Sequence, residues 1–241
     1  SSLTIISSAS NDKRKDFWML RGYVKQKSVS KDLSLRMTKF IEYKLSKQTS
    51  RIQAASVKFL GFLSNQLSTE LAYEMCAHHL KYHTLFEYLS TQMPTLAFRI
   101  CSHALTEEQI ATDDSVFELG EEAFRVVIKT AGEMVYTMCD GAIIDPPPQQ
   151  SEWVAEIALW CPWQYCGQCF AASPCEILSV DVQTFETIMS SHSQPWLTAR
   201  SYARQVVAYM NSFDPEYWTD FLRGFLVSDL SVNTFKLKVE L

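Results

Sequence analysis

Apolar residues recur every three to four positions through the first hundred residues, the spacing that lines one face of an α-helix. Phe17, Leu20, Tyr23 and Val24 carry it over residues 12–27, and Leu33, Met37, Phe40, Ile41 and Leu45 carry it over 30–47. Ser30 suits the cap of the second helix, because its hydroxyl can accept from a first-turn N–H. Ala54, Val57, Leu60 and Phe62 predict a helix over 51–63. Another is predicted over 69–80, opened by Ser68 with Glu70 in its first turn, where an acid suits the helix dipole. Shorter helical pieces fall at 85–89 and 96–103 on either side of Pro94.

From residue 113 the period changes to two. The run DDSVFELGEEAFRVVIKTAGEMVYT alternates polar with β-branched or aromatic residues, and Gly120 and Gly132 stand where turns would separate strands. Residues 140–150, DGAIIDPPPQQ, form a turn-rich excursion, since three successive prolines forbid both a helix and a central strand. The stretch 153–185 begins helix-like at 154–159, passes a Pro/Trp turn, and continues as two apolar runs separated by Ser173 and Pro174. Helices are predicted over 182–190 and 198–211, the second with an apolar stripe of Ala199, Tyr202, Ala203, Val206, Val207 and Met210. One more short helix is expected over 214–227. A clean alternation of Phe235, Leu237, Val239 and Leu241 with Lys236, Lys238 and Glu240 then predicts a strand seeking a sheet edge or groove. The fold class is therefore α+β: a helical first part, then an antiparallel sheet region flanked by helices.

The 241 residues suffice for one or two domains with a real core, and 47% hydrophobic with 20% charged residues is an ordinary globular balance. No apolar run is long enough to span a bilayer, so the chain is expected to be soluble; its start at Ser1 suggests a piece of something longer. The net charge of −5 hides an asymmetry. Residues 12–51 hold twelve Lys/Arg against four acids, leaving ten against 23 for the rest. Such a basic segment suits an anionic membrane face or a solvated helical surface. Nucleic acid is not expected, because no recognition-helix motif accompanies the charge.

Candidate chemistry is sparse. Seven glycines argue against a glycine-rich nucleotide loop, and no Ser/His/Asp grouping, P-loop or kinase signature is present, so an enzyme is not expected. Cys166 and Cys169 make a C-x-x-C near Cys161 and Cys175, and Cys76, His79 and His83 fall at helical spacing. Without a second paired motif these read as buried thiols and ordinary histidines, with no metal. Glu156, in the first turn of a short helix beside free backbone N–H groups, suits a small polar ligand. A buried strand pair with a connecting turn would explain the same apolar content.

The stretch WVAEIALWCPWQYCGQCFAASPCEILSVDVQTF resembles the phosphate-binding cassette and following strands of cyclic nucleotide-binding domains. Ala155, Glu156, Ala158 and Leu159 match its first positions, and Ala171, Asp181 and Phe185 the later ones. FWMLRGY, SKDLSLRM, IEY and LSNQLSTEL, in that order upstream, resemble the C-linker of voltage-gated and cyclic nucleotide-gated cation channels. The resemblance implies a helical C-linker followed by an antiparallel β-roll flanked by helices. Residues 1–11 would be the end of a pore helix, 12–90 the C-linker, 91–211 the nucleotide-binding-like domain, and 212–241 a tail with a helix and a strand. It further implies a pocket for cAMP or cGMP built from Ala155, Glu156, Ala158, Leu159, Tyr165, Cys166, Gly167 and Gln168. A lid helix would carry Tyr202, Val206 and Val207 over the purine.

The departures from the family pattern shape the functional expectation. The helix-opening glycine is Ala155, the Pro-Arg pair is Gln164-Tyr165, and the following Ala-Thr is Gly167-Gln168. A cyclic phosphate needs compensation for its charge when buried, and no residue from Cys161 to Ser173 is basic. The expectation is thus a channel's gating region, on the cytoplasmic side of a membrane, whose pocket binds cyclic nucleotide weakly or not at all. The family implies a homotetramer assembled through the C-linker, a basic segment at the inner membrane face, and the tail strand 235–241 lying in the pocket, as in ether-à-go-go-type channels. The alternative is a soluble cyclic nucleotide-sensing subunit that binds a partner enzyme.

Overall fold

The structure, a computed structural model, describes residues 2–50 and 57–227. The chain divides into two compact units, Ser1–Gln53 and Ala54–Leu241. The first is a pair of long helices, α1 (Ser2–Gln26) and α2 (Lys31–Ser50). The Leu33 N–H donates to the Ser30 hydroxyl at 3.2 Å, so the expected cap forms.

The second unit holds the sheets. Of the helix expected over 51–63, residues 51–56 lie outside the described residues, and the remainder is one 3-10 turn, Lys58–Phe62, with Phe59 and Phe62 exposed. Helix α3 (Asn65–Leu80) starts a turn earlier than expected, because Ser64 rather than Ser68 caps it by accepting from the Leu67 N–H. Helix α4 (Thr84–Gln92) and helix α5 (Pro94–His103) follow. Pro94 opens α5 at a position where its missing N–H has no helical acceptor to lose.

Among the described residues seven strands form two antiparallel sheets: β1 (Leu105–Ile110), β2 (Ser115–Phe117), β3 (Arg125–Ala131), β4 (Met134–Met138), β5 (Trp153–Val154), β6 (Gly167–Ala171) and β7 (Cys175–Asp181). One sheet has the order β1-β7-β3-β5 and the other β2-β6-β4. The fold class is α+β, as the pattern predicts. Strand β1 was not anticipated, because Thr106–Glu107–Glu108–Gln109 is polar on both faces. It is an edge strand held by its register on β7, Thr106 opposite Ser179 and Glu108 opposite Ile177, and polar residues suit an edge. Gly132, φ +86°, closes the β3–β4 turn. A Cβ there would fall 2.5 Å from the Pro174 carbonyl oxygen, so only glycine fits.

Helices α6 (Val182–Ser190) and α7 (Ser193–Met210) pack back on the sheets. The core joins Leu80, Leu85, Phe86, Leu89 and Ile100 of the helices to Val126, Ile128 and Ile177 of the larger sheet. This is why α3 and α4 pack with the sheets, whereas the resemblance groups 12–90 as one helical segment. The helix expected over 214–227 does not form. Only a 3-10 turn, Pro215–Tyr217, is present, and the chain then runs irregularly to Val227. The expected strand over 235–241 lies outside the described residues. Among the described residues no helix is long and apolar enough to cross a membrane.

The two sheets are tied at one polar point. Arg125 Nη1 donates to Glu108 at 2.8 and 2.7 Å, its Nη2 donates to the Val116 carbonyl at 2.7 Å, and the Ser179 hydroxyl also donates to Glu108. Burial alone would raise the Glu108 carboxyl, but the Ser179 hydroxyl and the Arg125 guanidinium outweigh it and hold it below its usual range. A depressed folded-state value means the stabilisation is complete above the unfolded value, about 4.3. It is lost as the pH falls through the folded value. Denaturant titrations from pH 7 to 3 are expected to show the wild-type advantage over Glu108→Gln shrinking below about pH 4.3.

Candidate ligand pocket

The residues expected to form the pocket lie on the short turn after β5 and at the start of β6, which pairs with β4. Val154 is the last residue of β5, so the helix begins two residues later than the sequence suggested, as a 3-10 turn over Glu156–Leu159. The residue between them, Ala155, is left-handed, φ 60°, which is the backbone state that a glycine would hold without strain. The resemblance put a glycine here, and the conformation persists with alanine in its place.

Tyr165, at the position expected to hold a cation, does not face a ligand. Its ring stacks on Phe117, centroids 4.0 Å apart and planes within 10°, and its hydroxyl donates to the Arg125 carbonyl at 3.1 Å. Burial pushes its hydroxyl up to about 12, so it stays neutral. Gln168 is exposed and donates to Glu118 at 2.6 Å. Leu159 is half-buried, and the Ala158 N–H turns back to the Ala155 carbonyl at 3.0 Å.

Glu156 is committed elsewhere. Its carboxylate lies 3.0 Å from His83 Nε2, both side chains being buried, and Trp160 Nε1 donates to it at 3.4 Å. Burial alone would raise this carboxyl. The facing His83 imidazole first, then the Tyr202 hydroxyl and the Trp160 indole, overcome that and hold it low. The turn that was expected to meet a small polar ligand is thereby fastened to the α3–α4 connection. Tyr202 completes this cluster from α7, Val206 is buried beneath it, and Val207 is partly buried.

An internal carboxyl group sits in the cradle. Asp220, 1% exposed, accepts from the Trp163 indole at 2.7 Å through Oδ1. Its Oδ2 accepts from the Tyr136 hydroxyl at 2.8 Å, the Cys166 N–H at 3.0 Å and the Gly167 N–H at 3.2 Å. Its carbonyl accepts from the Ala155 N–H at 2.6 Å. Two of the expected pocket residues, Cys166 and Gly167, therefore present N–H groups to one point, which the Asp220 side chain fills, and a third, Ala155, donates to the backbone carbonyl of the same residue. Burial pushes the Asp220 carboxyl up, against the pull of the Trp163, Tyr136, Cys166 and Gly167 hydrogen bonds.

The segment around Asp220 is anchored at several points. Phe221 meets the Tyr136 ring edge-on at 5.0 Å, and Phe225 packs on Tyr202 and Tyr209 at 5.7 and 5.3 Å. Arg223 pairs with Glu152 at 2.6 Å, donates to the Pro146 carbonyl at 2.6 Å, and its carbonyl accepts from the Tyr209 hydroxyl at 2.5 Å. Trp218 donates to the Met210 carbonyl at 3.0 Å. Gly167 has a matching reason to be glycine, since a Cβ would stand 2.5 Å from the Tyr136 hydroxyl that Asp220 binds.

Asp220, Tyr136 and Trp163 were missed by sequence reasoning, and His83 was read as an ordinary histidine. The available signal was one acid inside the aromatic run YWTDF, which a helix expectation concealed. Among the described residues, no three His, Cys, Asp or Glu stand where they could hold a metal. His79 bonds Ser151 at 2.8 Å while His83 faces Glu156, so the two histidines do not converge. Burial raises the Cys166 thiol to about 12 and the Cys76 thiol to about 11, which leaves both protonated and unreactive. No family model matches the chain, and no curated protein matches it.

Two substitutions test the cradle. Asp220→Asn sets an amide N–H₂ against either the Trp163 indole N–H or the Cys166 and Gly167 N–H pair, and is expected to destabilise the unit by about 1–3 kcal/mol in urea titrations. Gly167→Ala drives a methyl into Tyr136 and is expected to cost about 1–3 kcal/mol. It should also raise amide exchange at Asp220–Arg223, a local readout that global loosening alone would not single out.

Proposed function

We propose that the chain is the cytoplasmic gating region of a cation channel, potassium-selective or non-selective, with a C-linker leading into a cyclic nucleotide-binding-like β-roll whose pocket binds cAMP and cGMP weakly or not at all. The observation that carries this reading is the Asp220 carboxylate on the Cys166 and Gly167 N–H groups, where a cyclic phosphate would have to bind. An anion brought to the same donors would find them already taken by the Asp220 side chain. Where the family pattern has its phosphate-neutralising arginine, this chain has the neutral Tyr165, which is turned to Phe117 and Arg125. Loss of a charge-assisted hydrogen bond costs about 1.5–3 kcal/mol, which is about ten- to a hundredfold in affinity.

The channel part of the reading rests on the order of the C-linker-like motifs and on the basic segment over 12–51. Assembly through that region is supported by Trp18, 75% exposed, and Tyr23, 58% exposed, apolar groups that one copy leaves in water. In this reading the unit couples to a pore mechanically, through its helices, and Asp220 holds the domain in its occupied shape without a soluble messenger.

Titration calorimetry with cAMP and with cGMP is expected to give no saturable binding at micromolar concentration. A micromolar dissociation constant for either would overturn the weak-binding assignment. The sequence preceding Ser1 is expected to encode six apolar spans, the fourth rich in arginine. A soluble partner domain there instead would favour a regulatory subunit and remove the channel.

A further inference from the structure

A cavity of about 550 Å³ opens on the outer side of the same turn, away from Asp220. Its walls come from the β2–β3 connection, the turn from Ala158 to Trp163, α6 and α7. That size suits a small organic molecule. Three tryptophans define it: Trp160, Trp163 and Trp196. The indole N–H groups of Trp160 and Trp163 are spent inward, on Glu156 and Asp220. What these two residues offer the cavity is therefore ring carbon, with no donor for an anion.

The polar groups around the opening are unequal in sign. Glu122, Glu186 and Arg200 line it, all three exposed, and none has a side-chain partner among the described residues. Two unpaired carboxylates against one guanidinium, over aromatic walls, favour a positive guest. The negative faces of indole rings attract a cation, most strongly when it is poorly hydrated. We propose that this cavity is a binding site for a lipophilic organic cation, an aromatic or aliphatic body carrying a quaternary or tertiary ammonium group. The ammonium would rest between Glu122 and Glu186, and the apolar body between Trp160, Trp163 and Phe124. The site is separate from the cradle that holds Asp220 and does not depend on the channel reading.

The probe is benzyltrimethylammonium, followed by tryptophan fluorescence and by amide shifts on the full chain. Its uncharged isostere neopentylbenzene and the anion phenylacetate serve as the other arms. The cation is expected to bind saturably and about tenfold more tightly than the isostere, with phenylacetate weakest. Glu186→Gln and Trp196→Ala, both at exposed positions, are expected to weaken the cation without changing the thermal midpoint. Arg200→Gln is expected to tighten it, a change of opposite sign that loss of folding cannot imitate. Equal binding of cation and isostere would overturn the proposal, as would tighter binding of phenylacetate, no saturable binding of the cation, or an Arg200→Gln variant that weakens it.

Discussion

Four donors from three places in the chain converge on one buried carboxylate. Tyr136 comes from β4, Trp163 from the turn after the 3-10 helix, and the N–H groups of Cys166 and Gly167 from the start of β6. Each of these groups is buried or partly so, and each would be left without an acceptor if Asp220 were withdrawn. A buried donor without a partner costs more than a hydrogen bond gains, so the four groups and the acid are mutually obligatory. The rest of the site can be understood as what is needed to bring an acid from residue 220 to that point. Gly167 leaves room for the Tyr136 ring, Arg223 fastens the chain to Glu152 just beyond, and Trp218 fastens it to α7 just before.

A second buried carboxylate works in parallel. Glu156, next in sequence to the residue whose N–H binds the Asp220 carbonyl, is paired with His83 from the connection between α3 and α4. A buried charge of this kind is tolerated because its partner and its hydrogen bonds are all in place, and removing one partner would expose the cost of the other. The short turn over Glu156–Leu159 is thereby held from one side by the helices and from the other by the tail segment. Trp160 and Trp163 each touch one of the two carboxylates with the indole N–H and present ring carbon to the outer cavity. Two tryptophans thus divide a polar interior from an aromatic exterior, and this division lets one turn border two chemically different spaces.

Most of the elements could be read from the chain, because a period of 3.6 or of 2 is a local property. The helices over 12–27 and 30–47, the strands around Gly120 and Gly132, and the two final helices follow from spacing alone. Where the reading failed, a tertiary contact outweighed the local pattern. Strand β1 is polar on both sides and becomes a strand only by pairing with β7. The segment 214–227 has helical spacing, yet it unwinds beyond Tyr217 because Asp220, Phe221 and Arg223 each find partners far along the chain.

The sequence by itself determined that the cradle has no cation, since the absence of Lys and Arg between Cys161 and Ser173 is a fact of composition. It also determined the α+β class and the turn that bears Glu156. Only the tertiary structure decided what occupies the cradle. Asp220 lies 84 residues from Tyr136 and 57 from Trp163, and no local spacing encodes a meeting over such separations. The physical reason is that hydrophobic periodicity reports which face of an element is buried, whereas the pairing of one buried acid with its donors depends on where whole elements come to rest.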